Sequence, residues 1–457
     1  MSPSFTLFLL LLNNLVDAQH TGTYEPELHP RFPITTCASP SAPCRTLNTS
    51  LVMDAEWRWL HKKDTWTNCY EWSTWNTTIC PSGAVCAANC ALDGAAYEST
   101  YGVKTSGANL TLSWLTRVDY SENVGSRVFV LDKGSADGDK YAMWKLLNRE
   151  IAFEVDASGL PCGLSGSLYL VGMDEDGGMG RYPSNKAGAG YGTGYCDAGC
   201  PRDLRFVSGE ANVEDWQPNP LRDVFRGTGK FGSCCSEIDI WQANSMANAL
   251  TAHPCSVDVQ TRCEGLACES TCDRAGCDLN NYRLGNKNFY GPGKTVDTSK
   301  KFTVITQFIT SDDTDSGTLI ALRRKYIQNG IIISDTTSTI PSVDPSAGIT
   351  DSFCRNQKAA FSDRNTFTEK GGMAGISKAL AHGMVLVFAI TEDQERHMLW
   401  LDSNWPSDAS PTAPGVSRGA CAKDTGHPLD LLGEAQSAKA WFSNVRVGWI
   451  GMNEAGL

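Results

Sequence analysis

The chain is 457 residues long and acidic, with 39 basic and 51 acidic residues and a formal net charge of −12. Because it contains no basic run, this balance argues against nucleic acid and anionic membrane surfaces as partners, and it suits a neutral polysaccharide. The length allows two or three average domains or one large all-β domain.

Residues 1–18 have the features of a secretory signal peptide. An apolar core, 5–12, is followed by Val16-Asp17-Ala18, which places a small residue before a cleavage site after Ala18. The apolar run is too short to span a bilayer, and no other stretch approaches the needed length. We therefore predict a signal peptide at 1–18 and a secreted, extracellular mature chain at 19–457 without a membrane span.

The mature chain alternates short β-like runs with turn signals. The runs are rich in Val, Ile, Phe, Thr and Tyr, and clusters of Gly, Asn, Asp and Pro separate them. The predicted strands are 110–115, 127–131, 151–155, 167–173, 302–309, 384–390 and 441–450. Helical periodicity is confined to 141–147 and 376–381. This pattern is typical of an all-β sandwich, and the sequence shows no repeat, no low-complexity linker and no second composition regime.

The 18 cysteines indicate a disulfide framework in a chain that enters an oxidising compartment. Spacing alone leaves the connectivity open. Close pairs that suit small disulfide loops are Cys37/Cys44, Cys80/Cys86 and Cys263/Cys268. Zinc is the alternative for the cysteine-rich stretch 255–277, and it is disfavoured because thiolate zinc sites need reduced cysteines. Sequons that permit N-glycosylation begin at Asn48, Asn76 and Asn109.

One stretch combines a strand pattern with paired carboxylates. Residues 236–241 alternate polar and apolar side chains, which is the period-2 pattern of a strand with one wet and one buried face. Glu237 and Asp239 therefore share one face, roughly 7 Å apart along the strand. Closely spaced acids are typical of glycosidases, although such pairs are also common on ordinary polar strand faces. The pair alone does not decide between these interpretations.

The stretch Cys234-Cys235-Ser236-Glu237-Ile238-Asp239-Ile240-Trp241-Gln242-Ala243-Asn244 resembles the active-site strand of glycoside hydrolase family 7, the family of fungal cellobiohydrolase I and endoglucanase I. Other stretches that match in the family's order are 54–59, 92–97, 191–197, 200–204, 252–255, 282–286 and 398–403. The resemblance implies a concanavalin-like β-jelly-roll sandwich whose long, disulfide-stapled loops form a substrate cleft. It also implies that 19–457 is a catalytic domain without a linker or a cellulose-binding module.

The resemblance implies a connectivity for the cysteines as well. Besides the three close pairs, the implied bridges are Cys69–Cys90, Cys162–Cys421, Cys196–Cys235, Cys200–Cys234, Cys255–Cys272 and Cys277–Cys354. The two cysteines of a further bridge that is usual in fungal members are Gly22 and Ala91 here, so the change leaves no thiol unpaired.

In this family a Glu-x-Asp-x-x-Glu pattern supplies the nucleophile, a helper aspartate and the acid/base. By resemblance Glu237 is the nucleophile, and Asp239 is the helper that hydrogen-bonds and orients it. The acid/base position holds Gln242, which can donate a hydrogen bond but cannot deliver a proton. On a regular strand Gln242 would face away from Glu237, so we predict a bulge or a bend between them. Gln242 either reflects a natural chain that has lost or rerouted its acid, or is a substitution introduced to hold bound substrate.

His253 matches a histidine beside the family's active site. With an unperturbed pKa of about 6.5, a histidine can in principle supply a proton. The alternative, a hydrogen-bonded structural histidine, is the more common role for such a residue.

Sugar rings stack their C–H faces on aromatic side chains, so aromatic residues are the first candidates for substrate binding. Trp57 and Trp59 alternate with Arg58 and are predicted to share a strand face. By resemblance they are platforms at the glycone end of the cleft and Trp400 is a platform beyond the cleavage point, although a core role is the alternative for any single tryptophan. Positions that hydrogen-bond glucose units in relatives are Tyr169, Asp197, Arg283 and Arg418.

Two departures from the family favour an open cleft. Where relatives carry a tryptophan and two tyrosines before 398–400, this chain has Thr391, Gln394 and Glu395. The segment 268–272 is also much shorter than the loop that roofs the cellobiohydrolase tunnel. We therefore favour endo-type cleavage over processive action from chain ends.

Two functions from different classes fit these features. The first is a secreted retaining β-1,4-glucanase that cleaves cellulose or a related β-glucan and is impaired at Gln242. The second is a β-glucan-binding protein that keeps the cleft without hydrolysis. In both, we expect a monomer whose partner is a β-1,4-glucan, with no nucleic acid, membrane or cofactor, and the sequence shows no ligand cluster for a metal.

Overall fold

The computed structural model describes residues 19–118, 121–134, 139–218, 227–334 and 337–455, so the predicted signal peptide lies outside the described residues. Strands dominate this part of the chain. In chain order they are β1 His20–Thr21, β2 Ile34–Cys37, β3 Arg45–Leu47, β4 Thr49–Met53, β5 Leu60–Lys62, β6 Tyr70–Glu71, β7 Thr74–Trp75, β8 Cys90–Leu92, β9 Val103–Ser106, β10 Asn109–Ser113, β11 Leu115–Val118, β12 Ser121–Val124, β13 Ser126–Asp132, β14 Lys140–Tyr141, β15 Met143–Trp144, β16 Arg149–Asp156, β17 Leu164–Val171, β18 Phe206–Val207, β19 Glu210–Ala211, β20 Gln217–Pro218, β21 Gly227–Thr228, β22 Phe231–Cys234, β23 Glu237–Ala243, β24 Asn248–His253, β25 Thr261–Glu264, β26 Cys277–Leu279, β27 Tyr290–Gly291, β28 Val296–Asp297, β29 Phe302–Thr310, β30 Leu319–Gln328, β31 Ile331–Ser334, β32 Met384–Glu392 and β33 Lys439–Gly448.

Two nine-stranded sheets pack face to face in the described part of the chain. The inner sheet runs β14-β13-β32-β17-β23-β24-β26, with β4 and β15 attached to β13 and β32. The outer sheet runs β3-β2-β33-β16-β29-β30-β31, with β10 attached to β33 and β9 to β10. β23, the strand of the Glu-x-Asp motif, pairs antiparallel with β17 on one side and with β24 on the other. Its register is therefore fixed from both sides.

Alternate residues of the central strands build the core between the sheets. Leu168 of β17 belongs to the large core cluster, whereas the next residue, Tyr169, belongs to a smaller buried cluster on the other face. Aromatic rings connect the two sheets across the core. Phe442 of β33 makes edge contacts with Trp241 at 5.8 Å and with Phe388 at 5.2 Å between ring centroids. The inner sheet thus has one face in the core and one face available for a site.

Short helices and turns connect the strands. The helices are α1 Gly83–Asn89, α2 Leu266–Ser270, α3 Asp351–Phe361, α4 Thr366–Glu369, α5 Gly372–His382, α6 Leu399–Asp402 and α7 Pro428–Glu434, with 3₁₀ helices at Ala55–Trp57 and Ala189–Tyr191. The sequence pattern did not predict α3, whose first turn is capped by Thr350 accepting from the Phe353 N–H at 3.0 Å. Across the described ranges, none of the helices is long and apolar enough to cross a membrane.

The structure confirms the predicted all-β sandwich. The predicted strands are present with small shifts of their ends, except that 110–115 is divided at Trp114 between β10 and β11. The helix predicted at 376–381 is confirmed within α5. The helix predicted at 141–147 is wrong, because this stretch pairs with β13 and β32 and forms β14 and β15. Sheet pairing and not local periodicity decides the conformation of so short a segment.

All nine disulfide bridges implied by the resemblance are present. Every cysteine between 255 and 277 is disulfide-bonded, so the zinc alternative is wrong. Cys196–Cys235 and Cys200–Cys234 hold the loop 196–200 against the residues that precede β23. Cys162–Cys421 joins segments that are 259 residues apart in the chain. The first two of these bridges therefore fix the loop 196–200 next to the start of β23.

Candidate active site

A cleft of about 520 Å³ lies on the face of the inner sheet that turns away from the core. One wall of the cleft is formed by Ser165, Ser167 and Tyr169, alternate residues of β17, together with Glu237 and Gln242 of β23. Neighbouring strands and loops add Trp57, Arg127, Asp197, Asp203, Glu269, Thr391, Glu392, Asp393 and Trp400. The cleft therefore joins two of the candidate catalytic residues, Glu237 and Gln242, and several of the candidate sugar-binding residues in one surface.

β23 contains a bulge between Glu237 and Gln242, as the spacing predicts. From Asp239 to Gln242, three steps along β23 match two steps along β24, and the register to β17 shifts at the same place. The extra residue lets Ile240 and Trp241, which are consecutive, both pack in the core cluster. It also returns Gln242 to the cleft face, where a regular strand would have turned it away.

A buried arginine of the outer sheet supports this bulge. Arg324 of β30 is 2 % exposed, and its Nη2 atom donates to the carbonyl oxygen of Ile240. Its Nε and Nη1 atoms donate to Thr306 Oγ1 at 3.3 Å and to the Tyr326 hydroxyl at 3.4 Å. A bulge interrupts the ladder of strand hydrogen bonds, and the arginine supplies the partner that a buried carbonyl needs.

Glu237 begins β23 with its carboxyl group in the wall of the cleft. Its Oε2 atom accepts a hydrogen bond from the backbone N–H of Ala198 at 3.1 Å. Burial, and after it the carboxyl groups of Asp239 and Asp197, raise the pKa of Glu237 well above its usual range, while His253 opposes this rise. The ionisation of Glu237 therefore depends on the few positive groups and N–H donors around it.

Asp239 and His253 form a buried hydrogen-bonded pair behind Glu237. Oδ2 of Asp239 lies 3.0 Å from Nε2 of His253, and Nδ1 of His253 donates to the backbone carbonyl of Asp273 at 2.8 Å. Burial alone would lower the pKa of His253, but the hydrogen bond and the charge of Asp239 outweigh it and raise this pKa to about 10. The ring is therefore an imidazolium at neutral pH.

The predicted hydrogen bond between Asp239 and Glu237 is not formed in the structure. The second oxygen of Asp239, Oδ1, is buried and has no hydrogen-bond partner among the described residues. One oxygen of each carboxyl group and one ring nitrogen of His253 still lie within 4.8 Å of one another. Because His253 already bonds Asp239, we interpret the three as an electrostatically coupled cluster and not as a metal site.

A hydrogen-bonded chain of side chains links Tyr169 to Asp197 on the same wall. The hydroxyl groups of Tyr169 and Tyr195 are 3.1 Å apart, and Tyr195 donates to Oδ2 of Asp197 at 2.8 Å. The guanidinium of Arg127 lies over the Tyr195 ring, 3.3 Å from its centroid. The structure thus brings Tyr169 and Asp197 together beside Glu237.

Gln242 is partly exposed in the cleft, and its side-chain amide forms no hydrogen bond with the residues that the structure describes. Further along the chain, Asn244 donates to Oδ2 of Asp402 at 2.7 Å. Asp402 ends α6, the helix that carries Trp400, and the Trp400 indole N–H donates to Oδ2 of Asp393 at 2.8 Å. These bonds fix the helix that presents Trp400 relative to the end of β23 that presents Gln242.

Trp57 and Trp59, predicted to share a strand face, lie in different surroundings. The strand prediction is wrong, because Asp54 caps a 3₁₀ turn at this point by accepting from the Glu56 N–H at 2.9 Å. Trp57 ends that turn and lines the cleft, whereas Trp59 is absent from the described residues that line it. Trp59 instead contacts aromatic rings on the neighbouring surface.

Arg283 and Arg418 also lie outside the described lining of the cleft. Arg283 is 4 % exposed, and its guanidinium bonds Asp278, Asp363 at 2.7 Å and the carbonyl of Gly415 at 2.9 Å. The structure therefore gives Arg283 protein partners, and its predicted hydrogen bond to glucose stays a prediction. Arg418 keeps donor capacity, since its Nε atom has no hydrogen-bond partner in the described ranges, and burial lowers its pKa to about 10.

A family model described as Glycosyl hydrolase family 7 matches residues 21–453. The chain belongs to glycosyl hydrolase family 7. The structure is similar to a family 7 cellobiohydrolase from Daphnia pulex, with 43% identity and a TM-score of 0.91 over 95% of this chain and 99% of that one. A cellobiohydrolase from Melanocarpus albomyces complexed with cellotetraose has 42% identity and a TM-score of 0.88, again over 95% and 99%. Endocellulase EGI from Humicola insolens has 32% identity and a TM-score of 0.79 over the same shares.

Membership in family 7 confirms that the chain is a glycoside hydrolase of a cellulase family, with the jelly-roll fold that the resemblance implied. Several groups around Glu237 were nevertheless missed in the sequence. Ala198 acts through its backbone amide, which has no sequence signature, and Arg127 and Arg324 come from strands with no motif. Tyr195 lies inside the matching stretch 191–197, so the alignment could have suggested it.

We expect the His253 ring to stay protonated through the neutral range. In ¹⁵N NMR spectra of histidine-labelled protein, the pKa of His253 should lie near 10, whereas the pKa of His29, which burial lowers, should fall below the usual value. Asp239→Asn should bring the pKa of His253 down, because it removes the carboxylate partner. A pKa of about 6.5 for His253 in the unsubstituted chain would show that the coupling is absent.

The same shift links stability to pH. A histidine whose pKa is higher in the folded chain contributes its full stabilisation below the unfolded value of about 6.5 and loses it as the pH rises through the folded value, here about 10. The difference in unfolding free energy between the unsubstituted chain and Asp239→Asn should therefore be largest below about pH 6.5 and narrow towards pH 10. Denaturant unfolding of both chains at a series of pH values measures this difference in free energy.

Proposed function

We propose that this chain is a secreted retaining β-1,4-glucanase whose hydrolysis is impaired at Gln242. The observation that supports this most is the bulge in β23, which puts Glu237 and Gln242 on one wall of the cleft. A retaining glycosidase needs a nucleophile and a proton donor about 5–5.5 Å apart, and we assign these two positions to Glu237 and Gln242. Of these two residues, only Glu237 has a carboxyl group.

In the first step Glu237 would attack the anomeric carbon and expel the sugar on the leaving side. Attack requires the carboxylate form, which the Ala198 N–H and the positive charge of His253 favour against burial. The leaving oxygen must gain a proton, and a primary amide has none to give. Because Gln242 can only hydrogen-bond this oxygen, bond cleavage depends on how stable the leaving group is as an anion.

The second step is impaired for the same reason. Water must lose a proton as it attacks the glycosyl ester of Glu237, and Gln242 cannot accept that proton. General acid–base catalysis contributes about 10²–10⁴-fold, which corresponds to roughly 3–5 kcal/mol of barrier. His253 is poorly suited as a substitute, since it is buried and both of its ring nitrogens are hydrogen-bonded.

The surface of the cleft favours a neutral β-1,4-glucan. Trp57 and Trp400 offer aromatic faces on which glucose rings can stack. In the same cleft, the polar groups of Ser165, Ser167 and Asp197 can hydrogen-bond sugar hydroxyls. We expect the mature chain to act on such a polymer as an extracellular monomer.

We also propose endo-type cleavage through an open cleft. The segment 268–272 continues the short helix α2, and Leu266 at the start of that helix is 80 % exposed, so it does not pack against an opposite wall. Thr391 stands in the cleft where relatives carry an aromatic platform. The overall likeness is greater to cellobiohydrolases, but the mode of attack depends on the loops above the cleft and not on the sandwich that dominates the likeness.

A β-glucan-binding protein is the alternative function, and Gln242 is the observation that favours it. A chain that keeps its aromatic residues and lacks the acid/base would bind a glucan without cleaving it. Both functions predict binding, so only the chemical step separates them.

Gln242→Glu should raise the release of reducing ends from a soluble β-1,4-glucan about 10²–10⁴-fold, because it restores a group that can give and accept a proton. Gln242→Ala is the control, and it should show no gain. Comparable activity of the unsubstituted chain and Gln242→Glu would mean that another group delivers the proton, with His253 the first to replace. Inactivity of both chains would favour the binding protein.

An activated donor should trap the intermediate in the unsubstituted chain. With 2,4-dinitrophenyl β-cellobioside we expect a burst of about one equivalent of phenolate, followed by slow turnover, because this leaving group needs no proton. Mass spectrometry should place the glycosyl group on Glu237. Azide should accelerate turnover and yield the β-glycosyl azide, since it attacks without a base. Glu237→Gln should give no burst. Steady turnover by the unsubstituted chain without a burst would contradict the mechanism.

Viscosity measurements on neutral hydroxyethyl cellulose test the open cleft. If Gln242→Glu cuts internal bonds, the viscosity should fall steeply while few reducing ends appear. The ratio of reducing ends left in an insoluble glucan to those released into solution provides an independent readout. Release of soluble sugar with little loss of viscosity would show attack from chain ends.

A further inference from the structure

A serine of β17, Ser167, lies beside Gln242 in the wall of the cleft. It is directly opposite Gln242 in the antiparallel pairing of β17 with β23. Directly opposite residues point to the same face of a sheet, with their Cβ atoms about 4.5–5.5 Å apart, and both of these side chains line the cleft. The Ser167 hydroxyl is therefore a close neighbour of the Gln242 amide.

A hydrogen bond within β17 holds the Ser167 hydroxyl in place. Oγ of Ser167 lies 2.9 Å from Oγ of Ser165, and either hydroxyl can be the donor. A serine hydroxyl has one hydrogen to donate and two lone pairs that accept. The bond to Ser165 uses one of these three, so Ser167 keeps at least one lone pair for a group in the cleft.

The row of residues that crosses the sheet at Gln242 has few side-chain acceptors. Ser167 pairs with Ala389 of β32 on its other side, and Ala389 pairs with Arg127 of β13. All four side chains line the cleft. A methyl group bonds nothing and a guanidinium only donates. The amide oxygen of Gln242 and the hydroxyl of Ser167 are thus the acceptors that this row offers to an O–H group.

We propose that Gln242 and Ser167 together hold the water molecule that hydrolyses the glycosyl ester of Glu237. This inference rests on the proposed function, in which that ester forms. One O–H of the water would donate to Oε1 of Gln242 and the other to Oγ of Ser167, which leaves an oxygen lone pair for the anomeric carbon. Ser167 is then a water-positioning residue in a site that lacks a base.

The step balances without a protein base. A bond forms between the water oxygen and the anomeric carbon, while the bond from that carbon to the carboxyl oxygen of Glu237 breaks. The electron pair of the broken bond stays on the Glu237 carboxylate. The proton of the attacking water passes to the surrounding water, because neither an amide nor a serine hydroxyl retains it. The protein contributes the placement of the attacking molecule.

The lifetime of the trapped ester tests this role. After the unsubstituted chain has reacted with 2,4-dinitrophenyl β-cellobioside and the excess donor has been removed, mass spectrometry follows the loss of the glycosyl group and so measures the water step alone. Ser167→Ala should slow this loss about fivefold, the effect of one hydrogen bond. The rate of the burst should not change, because no water attacks in the first step. Azide should release the ester from both chains at the same rate.

Two further variants separate the hydroxyl from its surroundings. Ser167→Thr keeps a hydroxyl group and should keep the lifetime of the ester. Ser126→Ala is the matched control, since Ser126 is a buried serine of β13 in the same sheet and is absent from the described residues that line the cleft. It should change neither step. A crystal structure of the trapped chain should show a water about 3 Å from Oγ of Ser167 and from Oε1 of Gln242.

An ester whose lifetime Ser167→Ala leaves unchanged would overturn the proposal. Equal slowing of the burst and of ester hydrolysis would also overturn it, because Ser167 would then bind the sugar in both steps and not the water. Failure of the proposed function is a different result. It would appear as a missing glycosyl ester in the unsubstituted chain, which would overturn both.

Discussion

The arrangement of the site depends on the bulge in β23 and on the hydrogen bond that Arg324 gives to it. The bulge lets Ile240 and Trp241 enter the core together and brings Gln242 back to the wall that carries Glu237. Without a donor, the Ile240 carbonyl would be buried and unpaired, at a cost of about 1–3 kcal/mol. The donor comes from the opposite sheet, so the packing of the sandwich and the geometry of the site are coupled.

Gln242 changes the chemistry of the cleft far more than its shape. An amide has nearly the size of a carboxyl group, so a glucan that fits the cleft with glutamate also fits it with glutamine. Around Glu237, the proposed nucleophile, His253 is bonded to Asp239 and the Ala198 N–H donates to the Glu237 carboxyl group. In the proposed mechanism Gln242 removes a proton transfer from both steps. A leaving group that is stable as an anion relieves only the first step, and only such a substrate separates formation of the glycosyl ester from its turnover.

Much of this arrangement could be predicted from the sequence, because the family pattern and the two-residue period of a strand together require a bulge or a bend before Gln242. The disulfide pairing followed from the same likeness. The errors arose where tertiary contacts overrule local pattern. Residues 141–147 pair with existing strands, and Asp54 caps a 3₁₀ turn at Trp57 where a strand was predicted. The Ala198 amide acts through the backbone, which no side-chain motif reveals.

The disulfides beside β23 tie part of the restraint on the site to the compartment in which the chain folds. The loop that presents the Ala198 N–H to Glu237 lies between Cys196 and Cys200, and both cysteines are bonded to the residues that lead into β23. A reduced chain has no covalent constraint on this loop. Backbone hydrogen bonds from Cys235 to Asp197 and from Asp197 to Ser233 tie the same loop to these residues without a disulfide. The two bridges add a covalent restraint to the position of the Ala198 N–H beside Glu237, and this restraint forms only in a compartment that oxidises thiols.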